Sequence, residues 1–317
     1  MQACVDVGGT KVAVSLAAPD AGALSAGGAP WRLSARQAEP TARTGPPDAL
    51  ARQIIRLIGQ ACAEAGVDEA AVTGVGVSSC GPFVLNAGQV ELAAPNICGG
   101  LAGPARQLPN DWTSAPLEAP LRARYGQVRV ENDGIAALEA ERRWGALRGL
   151  DHCGYVTWST GIGMGLCVNG RVLRGKNGNA GHGGHMFVSD DASGALCGCG
   201  NLGDVEALVA GNAIARRFGT GAPALLAAAT VGDAAALAVV DELCRVMGRA
   251  LYNLVVTLDL QRISLGGGVF WHHRAFLLPR LRAGIEGRLV ALTGGFELVE
   301  AGLGAQVGDY AALALLP

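Results

Sequence analysis

Apolar and polar positions follow two rhythms along this chain. QACVDV (2–7) and VAVSLA (12–17) are short, β-branched and apolar, and GGTK separates them, which predicts two strands joined by a glycine-rich turn. Between 48 and 65, Leu50, Ile54, Leu57, Ile58 and Ala61 recur at helical spacing. VTGVGVSS (72–79) reads as a buried strand, and VRVEN (128–132) as another that runs into a helix over 134–146. GYVTWST (154–160) and GLCVNGRVL (165–173) predict strands around a second glycine-rich turn. A long helix is predicted over 234–258, a strand ending in glycines at ISLGGG (263–268), and a last helix over 307–316. Strands alternating with helices predict an α/β protein.

A weak repeat lies inside this pattern. Strand, glycine-rich turn, strand occurs at DVGGTK (6–11) and again at STGIGMG (159–165). Two halves with the same device predict two similar domains around a central cleft. The boundary is expected between 120 and 134, where Leu121–Gly126 carries Arg122 and Arg124 as a surface stretch. That gives a first domain over 1–125, completed by the C-terminal helix at 305–317, and a second over 126–304.

Composition narrows the choice of function. The chain has 317 residues, enough for about two domains. It is 50% apolar and 16% charged, which excludes a disordered chain. A formal net charge of -2 argues against a nucleic-acid coat or a polybasic membrane binder. MQACVDVGGT has neither the basic nor the apolar region of a signal peptide, and no uninterrupted apolar run is long enough for a membrane span. Nine scattered cysteines fit a reducing cytoplasm better than a disulfide framework. Of 25 basic residues only Lys11 and Lys176 are lysines, a bias associated with GC-rich bacterial coding.

Five motifs carry candidate chemistry. In Asp6-Val7-Gly8-Gly9-Thr10-Lys11 the glycines let backbone N–H groups approach phosphate oxygens, Thr10 adds a donor, and Asp6 could hold a hydrated Mg²⁺. The plain alternative is an ordinary glycine hairpin. Ser159-Thr160-Gly161-Ile162-Gly163 is a matching second turn, and Gly266-Gly267-Gly268 offers bare backbone to a base or ribose, or simply a tight turn. Asn132-Asp133 ends a strand before a helix; the carboxylate suits a general base, and equally a helix cap. Gly181-His182-Gly183-Gly184-His185 precedes Cys197-Gly198-Cys199 and Asp204, a donor set that suits Zn²⁺ or, without metal, two reduced thiols in a glycine loop.

The order of these motifs resembles the ROK family of sugar kinases, within the actin-like ATPase superfamily. DVGGTK, GVGVSSCGP (74–82), APNI (94–97), VENDGIAALEAE (130–141), VTWSTGIGMGLCVNGRVLRGKNGNAGHGGHM (156–186), CGCGNLGDVEALVAG (197–211) and ISLGGGVF (263–270) carry the resemblance over nearly the whole chain. It implies two ribonuclease H-like α/β domains and ATP-dependent phosphorylation of a hexose-like acceptor. Asp133 would be the general base. Asp6, Gly8, Gly9, Thr10 and Lys11 would face the phosphates and Mg²⁺, with Thr160, Gly161 and Gly163 as the second phosphate turn and Gly267 and Gly268 under the adenosine. Gly81, Asn132, Asp133, His182, His185 and Glu206 would contact the acceptor, and Asn96 would line that pocket. His185, Cys197, Cys199 and Asp204 would hold a structural zinc. A cytoplasmic homodimer that binds neither nucleic acid nor membrane is the matching expectation, with polyphosphate an open alternative donor. Regulators of the family carry a winged-helix domain ahead of the first hairpin, and this sequence starts at the hairpin, so the kinase is expected.

Two departures fall in the acceptor region. The family's Glu-x-Gly-His reads His182-Gly183-Gly184-His185 here. A neutral imidazole offers one acceptor and one donor, not several carboxylate lone pairs. An unmatched buried polar group costs on the order of 1–3 kcal/mol, enough to reorder substrate preference. Hence a C7-cyclitol or amino sugar is the alternative acceptor, and a non-catalytic sugar sensor a further one. The family's third metal-loop cysteine is Asp204, so oxygen completes the zinc site, another thiol such as Cys98 or Cys153 replaces it in space, or zinc is lost.

Overall fold

The computed structural model describes residues 1–20, 30–102, 107–190 and 193–317, which form two compact units. The first comprises Met1–Trp144, Arg174–Ala180 and Gln306–Pro317. Its strands are β1 (Gln2–Val7), β2 (Lys11–Pro19), β3 (Trp31–Pro40), β4 (Gly74–Ser79), β5 (Phe83–Asn86), β6 (Gln89–Leu92), β7 (Ala115–Pro116) and β8 (Val128–Asn132). Its helices are α1 (Ala49–Ala65), α2 (Glu118–Arg122) and α3 (Asp133–Trp144), with the C-terminal helix Val307–Ala314.

The main sheet runs β3-β2-β1-β4-β8. β1 to β3 form an antiparallel meander, and β4 and β8 join in parallel, with Val5 opposite Val77 and Val77 opposite Val130. Successive side chains on a strand point to opposite faces. Ala3, Val5 and Val7 therefore pack with Leu50, Ile54, Leu57 and Ile58 of α1, while Cys4 packs with Ala312 and Leu313 of the C-terminal helix. α1 stops at Gly66, whose φ of 67° sets a left-handed cap that returns its N–H to the helix carbonyls. At Gly76 any Cβ would lie 2.0 Å from the Ala312 carbonyl oxygen, so the C-terminal helix rests directly on β4. β5, β6 and β7 form a small separate sheet.

The second unit comprises Gly145–Leu173 and Gly181–Ala305. It contains β9 (Cys153–Trp158), β10 (Ile162–Val168), β11 (Arg171–Val172), β12 (Arg262–Gly266) and β13 (Glu297–Glu300). Its helices are α4 (Val205–Val209), α5 (Gly211–Phe218), α6 (Ala222–Thr230), α7 (Ala234–Leu258), α8 (Gly268–Trp271), α9 (Arg274–Ala283) and α10 (Val290–Thr293), so the C-terminal helix is α11. The sheet runs β11-β10-β9-β12-β13, again an antiparallel meander followed by two parallel strands. The repeat seen in the two glycine turns thus extends to the whole wiring of each sheet. α7 is capped by Asp233, which accepts from Ala236 N, and buries Leu243, Met247, Leu251 and Val255.

Several details differ from the sequence expectation. Residues 126–144 fold with the first unit, because β8 pairs with β4 and α3 packs on α11; the units part at Trp144–Gly145, not at 125–126. The stretch 165–173 is a hairpin, not one strand: Asn169 and Gly170, at φ 52° and 71°, make the turn between β10 and β11. β3, β5 to β7 and β13 were not anticipated. β3 alternates half-buried and exposed residues through Arg32, Ser34, Arg36 and Glu39, the pattern of a polar edge strand with little apolar signal. Among the described residues no single helix is long and apolar enough to cross a membrane; α6 and α7 pass together only as a pair bent by 114°.

Candidate active site

The first glycine turn closes the β1–β2 hairpin. Gly8 N donates to Lys11 O at 2.9 Å. A Cβ on Gly9 would meet the Asn96 amide nitrogen at 2.1 Å, so a side chain there would displace Asn96. Three carbonyls of the turn are tied down by the segment before α1. Thr41 Oγ1 donates to Gly8 O at 2.7 Å, Thr41 N to Thr10 O at 3.1 Å, and the Arg43 guanidinium to Gly9 O. Asn110 in turn donates from Nδ2 to both Arg43 O and Ile97 O, each at 2.9 Å, which holds the Arg43 and Asn96 loops on one support. Thr41, Arg43 and Asn110 escaped sequence reasoning, since each is an unremarkable polar residue in a loop.

The same unit carries Asn132 and Asp133 where β8 becomes α3. Both side chains accept from Gly134 N, Asn132 Oδ1 at 3.0 Å and Asp133 Oδ1 at 2.8 Å. They share the capping of the first turn while the Asp133 side chain stays exposed. Burial pushes the Cys80 thiol up to about 12, helped by the negative charges of Asp133 and Asp6. Both carboxylates therefore lie within electrostatic reach of one thiol, just before Gly81 and its cis peptide to Pro82. Asp6 is itself raised by protein packed around it, against the pull of Lys11 and Arg36.

In the second unit the β9–β10 turn is built similarly. Ser159 N donates to Gly161 O at 3.0 Å. Glu206 of α4 accepts from Ile162 N at 2.9 Å, and a Cβ on Gly161 would come within 2.7 Å of that same carboxylate oxygen. Gly163 lies in β10, paired with Thr157. Gly267 follows β12 at φ 89°, where a Cβ would lie 2.5 Å from Trp158 O, and Gly268 opens α8 facing Ser159 Oγ. The glycine run, Thr160 with its turn, and Glu206 are thus brought together. α5 also starts there, with Gly211 N on Ser159 O at 2.8 Å and Asn212 N on Thr160 O at 3.3 Å; neither residue was singled out in the sequence.

His185 Nδ1, Cys197 Sγ, Cys199 Sγ and a carboxylate oxygen of Asp204 all lie within 4.8 Å of one another. Asp204 is wholly buried and uses both oxygens. Oδ1 caps α4 by accepting from Ala207 N at 2.7 Å, and Oδ2 faces His185 Nδ1 at 3.1 Å and Cys199 Sγ at 3.5 Å. Burial opposes its charge, but the bonds from His185 and Ala207 outweigh burial and lower its pKa. The His185 pKa is raised, chiefly by that bond to Asp204. One nitrogen, two sulfurs and one carboxylate oxygen are a donor set that fits tetrahedral Zn²⁺. Cys98 and Cys153 take no part: Cys98 donates to Leu92 O in the first unit and Cys153 to Leu150 O. The His182 ring stacks beside His185 with centroids 6.1 Å apart.

A family model described as the ROK family matches residues 2–317. The chain belongs to the ROK family. It is 31% identical over 278 residues to a glucokinase of Aeropyrum pernix, spanning 79% of this chain and 81% of that protein. It is 30% identical over 271 residues to an N-acetylmannosamine kinase of Citrobacter koseri, spanning 84% and 82%. The crystal structure of a ROK family glucokinase from Streptomyces griseus, in complex with glucose and AMPPNP, superposes with a TM-score of 0.71 at 26% identity, over 98% of this chain and 97% of that one. The two matching α/β units are those of the actin-like ATPase fold.

Proposed function

We propose that this chain is an ATP-dependent sugar kinase that moves the γ-phosphoryl group of ATP to a hydroxyl of a hexose or hexose-like acceptor. The observation that carries the reading is the placement of Asp133, an exposed carboxylate at the junction of β8 and α3, at the same end of the sheet at which β1 presents Asp6. The names of the glucokinase and N-acetylmannosamine kinase relatives support it.

In this reading the acceptor hydroxyl, a primary one, points at Asp133. As its oxygen attacks the γ-phosphorus, Asp133 takes the proton; the bond to the bridging oxygen breaks and ADP leaves. Gly8, Gly9, Thr10 and Lys11 hold phosphates on the first turn, and Thr160, Gly161 and Gly163 on the second. Gly267 and Gly268 leave backbone bare for the adenosine. Asp6 would hold Mg²⁺ through its waters, and the ion would supply charge neutralisation on the phosphates. His185, Cys197, Cys199 and Asp204 would hold Zn²⁺, which supplies a cross-link for the loop and no step of the reaction. Gly81 and Asn132 in the first unit, and His182, His185 and Glu206 in the second, are the residues that the family resemblance assigns to the acceptor.

His182 favours a second acceptor class. An imidazole in place of a carboxylate reads ring hydroxyls differently, and a C7-cyclitol lacks the anomeric centre that a carboxylate there would read. An ADP-release assay with Mg·ATP separates the readings. The panel holds glucose, mannose, fructose, N-acetylglucosamine, N-acetylmannosamine, an amino hexose and C7-cyclitols. Turnover of a common hexose assigns a metabolic hexokinase. Turnover confined to a cyclitol or amino sugar assigns the altered pocket. ATP binding without turnover of any of them defeats the kinase reading in favour of a sensor.

A further inference from the structure

Between β11 and the His182 loop the chain changes allegiance. Gly145–Leu173 and Gly181–Ala305 build the second unit, yet Arg174–Ala180 belongs to the first. The segment is a closed loop: Ala180 N donates to Arg174 O at 3.0 Å, and Gly175 and Gly178 bend it at φ 70° and 78°. Two side chains dock it.

At one end Arg174 spans a junction. Its Nε donates to Glu131 Oε1 at 2.6 Å, and its terminal nitrogen reaches Glu139 Oε1 at 3.1 Å. Glu131 lies in β8, directly before Asn132 and Asp133, and Glu139 lies on α3. One guanidinium therefore braces the strand before Asp133 against the helix after it. Only 8% of the Glu131 side chain is exposed, and its ion partners are Arg174 at 2.6 Å and Arg129 at 3.5 Å. At the other end Asn179 pairs both ways with the Phe83 backbone, accepting from its N–H at 2.7 Å and donating to its carbonyl at 2.8 Å. Phe83 stands two residues after Gly81, and the chain that leaves the loop reaches His182 and His185 within a few residues.

We infer that this docked loop is a positioning device, with Arg174 as its positioning residue. It fixes the angle at which the β8–α3 junction presents Asp133, and it ties that junction to the chain at Phe83. The inference rests on Asp133 being the base. The planar guanidinium fork is what lets one residue hold both carboxylates; a lysine ammonium has no such fork.

The test combines kinetics with amide hydrogen exchange on Arg174→Ala, Arg174→Lys and Glu131→Gln. In Arg174→Ala, kcat falls on the order of 10- to 100-fold and the acceptor KM rises. The KM for ATP stays within about twofold, and Arg174→Lys recovers only part of the loss. Adding Glu131→Gln to Arg174→Ala brings no further loss, since the two act as one. Without ligands, Arg174→Ala loses exchange protection in 131–139 together with 174–180. Unchanged kcat and acceptor KM overturn the inference, as does exchange that rises only within 174–180. If the wild type phosphorylates no acceptor, the kinase reading fails, and exchange alone then decides the loop by the same two outcomes.

Discussion

At the scale of single residues, Asp133 has the most to answer for. It caps its own helix through Gly134 N, and so does Asn132. The cap is therefore duplicated, and Asp133→Asn, which still accepts a hydrogen bond, leaves the fold intact while removing the base. Turnover on the best acceptor is expected to fall ~10²–10⁴-fold with nucleotide affinity unchanged. Stopped-turnover kinetics beside calorimetric titration of AMPPNP checks this; near-normal turnover would reject Asp133 as the base. Asp133 stands out in the sequence through the family resemblance; the local pattern alone suits a helix cap equally well, and the cap is what its bond to Gly134 N makes. Thr41 and Arg43 do not stand out. They act by holding carbonyls of Gly8, Gly9 and Thr10 from about thirty residues away in sequence, and no local spacing records that pairing.

At the scale of elements, the metal loop and α4 are joined through one carboxylate. Asp204 gives one oxygen to the cap of α4 and the other to the His185–Cys199 cluster, and α4 carries Glu206 to the second glycine turn. A thiol at 204 could ligate a metal but would cap a helix poorly; a carboxylate is able to do both. Elemental analysis of the purified protein is expected to find one zinc per chain. Asp204→Asn keeps the cap but loses the anionic ligand and the charged bond to His185, so zinc affinity drops and metal-free thermal stability falls slightly. Asp204→Ala loses both, with an added loss of about 1 kcal/mol from the missing cap. Equal zinc content in all three proteins would show that the cluster does not bind metal through Asp204. Elements with a strong apolar rhythm, such as α1 and α7, were readable end to end. β3 and β13 were not, because edge strands face water and carry charges where a buried strand carries valines.

At the scale of the whole molecule, the chain closes on itself. The first unit needs both ends of the sequence, since α11 lies on β1 and β4 and packs along α3. Cys4, Ala17, Ala312 and Leu313 make one buried cluster, Arg36 pairs with Asp309 at 2.8 Å, and Arg143 donates to Leu316 O at 2.6 Å. The repeat of two glycine turns hinted at two like halves, but it could not show that one half is discontinuous; that follows from long-range packing, above all from Gly76 leaving room for the α11 backbone. Removing 306–317 uncovers a sheet face whose parallel strands β1 and β8 carry Asp6 and Asn132 at the same, C-terminal, end. The truncated chain is expected to lose its first unit while retaining the second. Limited proteolysis then cuts within 1–144 and spares 181–305, and binding of AMPPNP is lost because the first glycine turn has no folded sheet behind it. A truncated chain that resists proteolysis in 1–144 and still binds nucleotide would show that β1, β4 and β8 hold together without the helix. That outcome would move the origin of the unit's stability from α11 to the α1 face of the sheet.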